Sequence, residues 1–128
     1  MARNRKAAET RGRRAENFAA LWLMAKGYQI LERRCRTPHG EIDLVARRGS
    51  VLAFIEVKAR ARLDAALDAL TARQRARLIR AGAIYRAKNN KLARLQPRFD
   101  LILMVPGRWP DHRRGAWQAE GRDAMSLN

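Results

Sequence analysis

Acids are scarce in this chain, so the placement of three residues stands out. Asp43 lies in "EIDLVA"; Glu56 and Lys58 lie in "VLAFIEVKAR". Side chains two apart on a strand share a face. Glu56 and Lys58 are therefore expected on the face of Leu52 and Phe54. If the two segments pair as strands, Asp43, 13 residues before Glu56, comes near the same strand end. Two carboxylates and an ammonium there suit metal-assisted phosphodiester hydrolysis. Mg²⁺ takes oxygen ligands, one or two carboxylates plus water and phosphate. The ion acidifies water and offsets charge on phosphorus. A neighbouring lysine can orient that water or hold the phosphate. Without a cation between them, paired carboxylates repel phosphate, so Mg²⁺ or Mn²⁺ is the expected cofactor. The plainer reading of Glu56 and Lys58 alone is a solvated ion pair contributing ~0–1 kcal/mol.

Composition points to the same class of partner. The chain has 128 residues, 28 Lys+Arg against 12 Asp+Glu, and a net charge of +16. Its length suits one domain. Such a field favours a polyanion, with DNA the first expectation and RNA the second. No apolar run approaches the roughly 20 residues that span a bilayer, so no membrane partner is expected. A single cysteine, Cys35, excludes an internal disulfide framework. With only His39 and His112 besides, a Cys-based zinc site is disfavoured. "FAALWLMA" imitates the apolar part of a signal peptide. However, Glu9 and Glu16 precede or abut it and no small-x-small cleavage site follows. A reduced, cytoplasmic setting is expected.

The elements that must position the three residues are legible in the periodicity. Residues 1–14 carry six basic residues and one acid, the composition of a solvated arm. From about Arg13 to Lys26, Phe18, Leu21, Trp22 and Ala25 fall at helical spacing, and Gly27 is a natural stop. "YQILERRCR" reads as a strand and "TPHG" as a turn. In "EIDLVA", Ile42, Leu44 and Ala46 take one face and Glu41, Asp43 and Val45 the other. "RRGS" returns the chain into "VLAFIEVKAR", which is apolar on both faces and needs covering on each. Thr71 and Gln74 fit a capping box ahead of a helix with Leu78, Ala81, Gly82 and Tyr85 inward. "RFDLILMVPG" is a last alternating strand. The order predicts an α/β fold, a sheet covered by helices.

"RGRRAENFAALWLMAKGYQILERRCR", "GEIDLVA", "FIEVKAR" and "RFDLILM" together resemble the YraN-like family of small bacterial proteins. That family is grouped with the PD-(D/E)xK nuclease superfamily and is similar to the archaeal Holliday-junction resolvases. The resemblance covers about Arg11 to Val105. It implies a restriction-endonuclease-like fold, a mixed central sheet flanked by helices, over residues 13–106. Residues 1–12 then form a flexible basic arm and 107–128 a C-terminal tail without assigned structure. It maps catalytic roles onto Asp43, Glu56 and Lys58, with Asp43 and Glu56 holding the metal. It adds Glu16 as a third metal ligand from the first helix, and places Gln74 beside the site. Glu16 could equally be a solvated helix residue, and capping explains Gln74 as well as a site role does.

The basic side chains Arg60, Arg62, Arg73, Arg75, Arg77 and Arg80 are candidate phosphate contacts, since guanidinium forks match phosphate oxygens. An exposed, solvated helix face is the alternative for the last four. Asp100 is expected to pair with Arg98. Cys35 reads as a packed apolar residue. Trp109 and Trp117 are assigned to packing over the sheet end rather than to stacking on bases, and His39 to the site edge or merely to a turn. Two functions from different classes follow. One is a Mg²⁺-dependent DNA endonuclease, acting on branched or otherwise structured DNA. The other is a non-catalytic basic DNA- or RNA-binding protein on a relic nuclease fold. A homodimer cutting opposed strands is a variant of the first.

Overall fold

The computed structural model describes residues 2–67 and 70–117. A helix, α1 (Ala2–Ala25), leads into three antiparallel strands, β1 (Gln29–Thr37), β2 (Gly40–Arg48) and β3 (Val51–Ala59). A short helix, α2 (Leu63–Leu67), and a longer one, α3 (Ala72–Lys88), cross back to β4 (Gln96–Met104). β4 pairs parallel with β3, and β5 (Asp111–Trp117) closes the edge antiparallel to β4. The result is a five-stranded mixed sheet in the order β1-β2-β3-β4-β5. The gap at residues 68–69 falls inside the connection from α2 to α3.

Both faces of β3 are buried, as its two-sided apolar sequence requires. Leu52 and Phe54 pack with Leu78, Ile79, Ala81 and Tyr85 of α3. Ala53, Ile55 and Val57 pack with Ala15, Ala19, Ala20 and Leu23 of α1. Small residues set both approaches. Ala19 and Ala20 let α1 lie close on the sheet. At Gly82, an added Cβ would sit 3.1 Å from the rings of Phe54 and Phe99, so a larger residue would make those rings give by a few tenths of an ångström. The stop at Gly27 is as expected: Tyr28 N–H bonds back to Leu23 C=O at 2.9 Å and Gly27 N–H to Met24 C=O at 3.0 Å.

Three expectations are corrected. Residues 2–12, most of the expected basic arm, are the first turns of α1, which runs from Ala2 to Ala25. They include good helix formers and simply extend the helix that the sheet anchors. The tail beyond Pro106 contains β5 among its described residues; the expected tail's residues 118–128 lie outside them. β5 escapes sequence reading because "DHRRGAW" is polar and lies at an edge, where no alternation is enforced. Finally, Ile42 does not share a face with Leu44 and Ala46. It packs on the α3 side with Val45, while Leu44 and Ala46 pack on the α1 side. The β2–β3 ladder ends at Leu44↔Ile55, and opposite this departure Arg34 takes a φ of 52°.

One polar cluster ties the far edge together. Asp100 is fully buried and takes both guanidinium bonds of Arg98 at 2.8 Å, the ring of His112 at 2.8 Å and the Gly115 N–H at 3.0 Å. The expected Arg98–Asp100 pair is therefore present. Lys26 Nζ lies 3.0 Å from His112 Nδ1. An ammonium can only donate, so Nδ1 accepts and the hydrogen given to Asp100 sits on Nε2. Arg98 also donates to the Tyr28 hydroxyl. The end of α1, β4 and β5 are thus held by one carboxylate. Burial alone would raise the proton affinity of Asp100, but the bonds from His112, Arg98 and Gly115 outweigh it and hold the pKa below the usual value.

Candidate active site

The site forms where β2 parts from β3. With the ladder finished at Leu44↔Ile55, the Val57 N–H is met by a side chain instead: it donates to Asp43 Oδ2 at 2.8 Å. This bond fixes the carboxylate over the strand end. Lys58 Nζ lies 3.3 Å from Glu56 Oε1, and the two side chains are only 14 % and 15 % exposed. Asp43, Glu56 and Lys58 are therefore brought together, as their spacing suggested.

The electrostatics of this group are unusual for so basic a chain. Burial, and then the charge of Glu56, push the Asp43 pKa up to about 8 despite the Val57 N–H. Glu56 is also raised, chiefly by burial, although Lys58 and a hydrogen bond with Asp43 oppose the rise. Two largely shielded carboxyl groups thus lie side by side, and each holds its proton more tightly than a free carboxyl does. A divalent cation could take the place of a proton there.

Glu16 lies close enough for its charge to raise both carboxyl groups. Its own Oε1 is engaged by Arg34 Nε at 2.9 Å, however, and the Glu16 side chain is 17 % exposed. Among the described residues no three of His, Cys, Asp and Glu are gathered closely enough to hold a metal by themselves. The protein donors on hand are therefore the pair Asp43 and Glu56, a number that suits Mg²⁺ with water and phosphate completing its shell. Gln74 takes the capping role. Its side-chain oxygen accepts from Thr71 N–H at 3.0 Å while its own N–H donates to Thr71 Oγ1 at 3.2 Å, which closes the capping box.

Two cationic hollows flank the site at the same end of the sheet. One, a cavity of about 540 Å³, lies between the β1–β2 turn and α3, lined by Pro38, His39, Gly40, Arg73, Arg77 and Arg80. Arg73, Arg77 and Arg80 follow helical spacing onto one face; Arg75 does not line this hollow. Gly40 takes a φ of 126°, and a Cβ there would fall 2.7 Å from Arg77 Cδ. The other, about 720 Å³, runs between α1 and the ends of β3 and β4, and Lys58 and Arg60 line it. Arg62 is drawn instead into an exposed pair with Asp64 at 3.2 Å.

A model of the Uncharacterised protein family UPF0102 matches residues 15–104, which hold Glu16, Asp43, Glu56 and Lys58. The chain belongs to this family. It is 59 % identical over 117 residues to a UPF0102 protein of Maricaulis maris (strain MCS10), covering 91 % of this chain and 92 % of the relative. It is 56 % identical over 119 residues to one of Caulobacter sp. (strain K31), 93 % and 86 % covered. It is 47 % identical over 122 residues to one of Paramagnetospirillum magneticum (strain AMB-1), 92 % and 95 % covered.

Several residues of this UPF0102 chain enter the picture only in three dimensions. Arg11, Arg14 and Arg108 line the larger hollow beside Lys58. The spacing of Arg11, Arg14 and Phe18 was helical all along, but it carried meaning only once the arm proved to be helix. Cys35 is half-buried against the α3-side core, and Trp117 stacks on Phe99 at 5.9 Å, both as packing residues. Trp109 is 76 % exposed and its ring meets Trp22 at 5.6 Å. Among the described residues, no helix is long and apolar enough to cross a membrane.

Proposed function

We propose that this protein is a divalent-metal-dependent endonuclease of the PD-(D/E)xK type, with the restriction-endonuclease-like fold, that hydrolyses DNA phosphodiesters on branched or otherwise structured DNA. The observation that carries the reading is the Asp43 carboxyl, fixed by the Val57 N–H, set beside Glu56 and Lys58 in a chain of net charge +16. A protein that only bound phosphate would be weakened by two carboxylates at the focus of its cationic surface. A metal site gives the pair a purpose. The mixed sheet with helices on both faces, and the acid–base group where β2 parts from β3, support the reading.

Asp43 and Glu56 would hold Mg²⁺ or Mn²⁺. When bound, the ion supplies positive charge to the phosphate and acidifies water at the site. The chain's own groups do the rest. Val57 N–H keeps the Asp43 carboxylate in place. Lys58 donates a hydrogen bond to the attacking water or to a phosphate oxygen as negative charge builds. Water gives up one proton to solvent as it adds to phosphorus, one ester P–O bond breaks, and the departing oxygen takes a proton from solvent. Glu16, held by Arg34, orients the strand end and adds negative charge that favours a cation. Arg73, Arg77 and Arg80 on one side and Arg60 on the other contact the backbone without reading bases.

The test is cleavage of duplex, single-stranded and four-way-junction DNA with Mg²⁺ or Mn²⁺, comparing wild type with Lys58→Ala and Asp43→Ala. Both substitutions should abolish cleavage, a loss of at least ~100-fold. Cleavage that survives both would reject this site. Tight binding by the wild type with no cleavage of any substrate would favour the alternative, a non-catalytic DNA- or RNA-binding protein.

A further inference from the structure

The hollow beside Lys58 combines two surfaces that a plain phosphate track would not need together. Its rim is cationic: Arg11 and Arg14 from α1, Arg60 after β3 and Arg108 after β4. Among the described residues that line it, none is acidic. Its floor is apolar, built by Phe18, Val57, Met104 and Val105. Phe18 is 48 % exposed, although its helix neighbours Ala15 and Ala19 are buried. The volume, about 720 Å³, lies in the range of pockets that hold small organic ligands.

An intact duplex turns its phosphates outward and keeps the faces of its bases stacked, so it can use the rim but not the floor. Unpaired nucleotides can use both. Each offers a flat apolar face for an aromatic ring, with phosphates on either side for arginines. We propose that this hollow binds a single-stranded DNA segment adjoining a duplex, with an unstacked base against Phe18 and the flanking phosphates on Arg11, Arg14, Arg60 and Arg108. The inference deepens the nuclease reading by naming its substrate class: resting on that reading, it makes the scissile phosphate at Lys58 lie next to the strand's unpaired part.

Binding without divalent metal separates the two ideas, because cleavage does not enter the measurement. Anisotropy in EDTA at fixed salt would compare a blunt duplex, the same duplex with a single-stranded overhang, and that overhang carrying abasic residues. The overhang should bind roughly 5- to 100-fold more tightly than the blunt duplex, and the abasic overhang should lose most of the gain. Phe18→Ala should lose the same gain while keeping the slope of affinity against salt. Arg14→Ala should weaken all three and reduce the slope by about one. Equal affinity for blunt duplex and overhang, or indifference to the missing bases, would overturn the proposal without any appeal to a variant. A protein that prefers the overhang yet never cuts would keep this inference and defeat the nuclease reading; one that cuts without the preference would do the reverse.

Discussion

Asp43 is the residue where the chemistry of the site is most exposed to measurement. Its pKa, near 3.8 unfolded, rises to about 8 in the folded protein. Between those values the native state holds a proton that the unfolded chain releases, so this group's contribution to stability is full below about pH 4 and is lost as pH rises through about 8. Asp100 runs the other way. Its pKa is depressed, so its contribution is present above the ordinary carboxylate range and is lost as pH falls through its lowered value. The metal-free protein should therefore melt highest at mildly acidic pH, with a falling limb on either side; a melting curve still rising from pH 6 to 9 would contradict it. Asp43→Asn mimics the protonated carboxyl, keeping an acceptor for Val57 N–H and a donor for Glu56. It should flatten the alkaline limb and raise the melting point of the metal-free protein at pH 8.5 by about 3–6 °C. Mg²⁺ or Mn²⁺ should raise the wild-type melting point more at pH 8.5 than at pH 6, since it competes with the proton, and should do nothing for Asp43→Asn. Calorimetry with and without the metal measures all of this.

At the scale of elements, the start of α3 and the β1–β2 turn work as a unit. The capping box of Thr71 and Gln74 fixes the turn of α3 that carries Arg73, and Gly40 leaves room for the Arg77 side chain. Thr71→Ala removes an acceptor for the Gln74 N–H and should lower stability by about 1 kcal/mol in denaturant titration. Gly40→Ala meets both the positive φ and Arg77, so it should destabilise the hairpin and weaken DNA binding together. A substitution that left both unchanged would show that Arg77 swings away freely. The capping box was readable because its four residues are consecutive. The strand faces were readable for the same reason, through the period of two in "VLAFIEVK" and "RFDLILM". Ile42 broke the period because β2 leaves β3 just there, where the Asp43 side chain takes the Val57 N–H. β5 had no period to read, since its partner β4 supplies its hydrogen bonds and solvent takes its outer edge.

Across the whole molecule, charge is spread over the surface but gathered at one end of the sheet. If both hollows engage a duplex–overhang substrate, seven arginines (Arg11, Arg14, Arg60, Arg73, Arg77, Arg80 and Arg108) contact phosphate. The logarithm of affinity should then fall against the logarithm of salt with a slope of about −6. Replacing Arg73, Arg77 and Arg80 together by alanine should make the slope shallower by about three, whereas Arg75→Ala should leave it nearly unchanged. Equal effects from the triple variant and Arg75→Ala would mean that the α3 hollow is not the contact surface. The amino-acid order alone determined an α/β chain with a two-sided central strand, a capped helix, a strongly cationic surface, and Asp43, Glu56 and Lys58 as the residues to watch. Those features are written in composition and in the spacing of residues along single strands and helices. Only the tertiary structure decided that Glu16 is held by Arg34 and that Asp100 gathers His112 and Gly115 as well as Arg98. It also decided which arginines share a hollow with Lys58. Each of those pairings joins segments far apart in sequence, brought together by strand pairing or by a helix packing on the sheet, and local periodicity carries no record of that meeting.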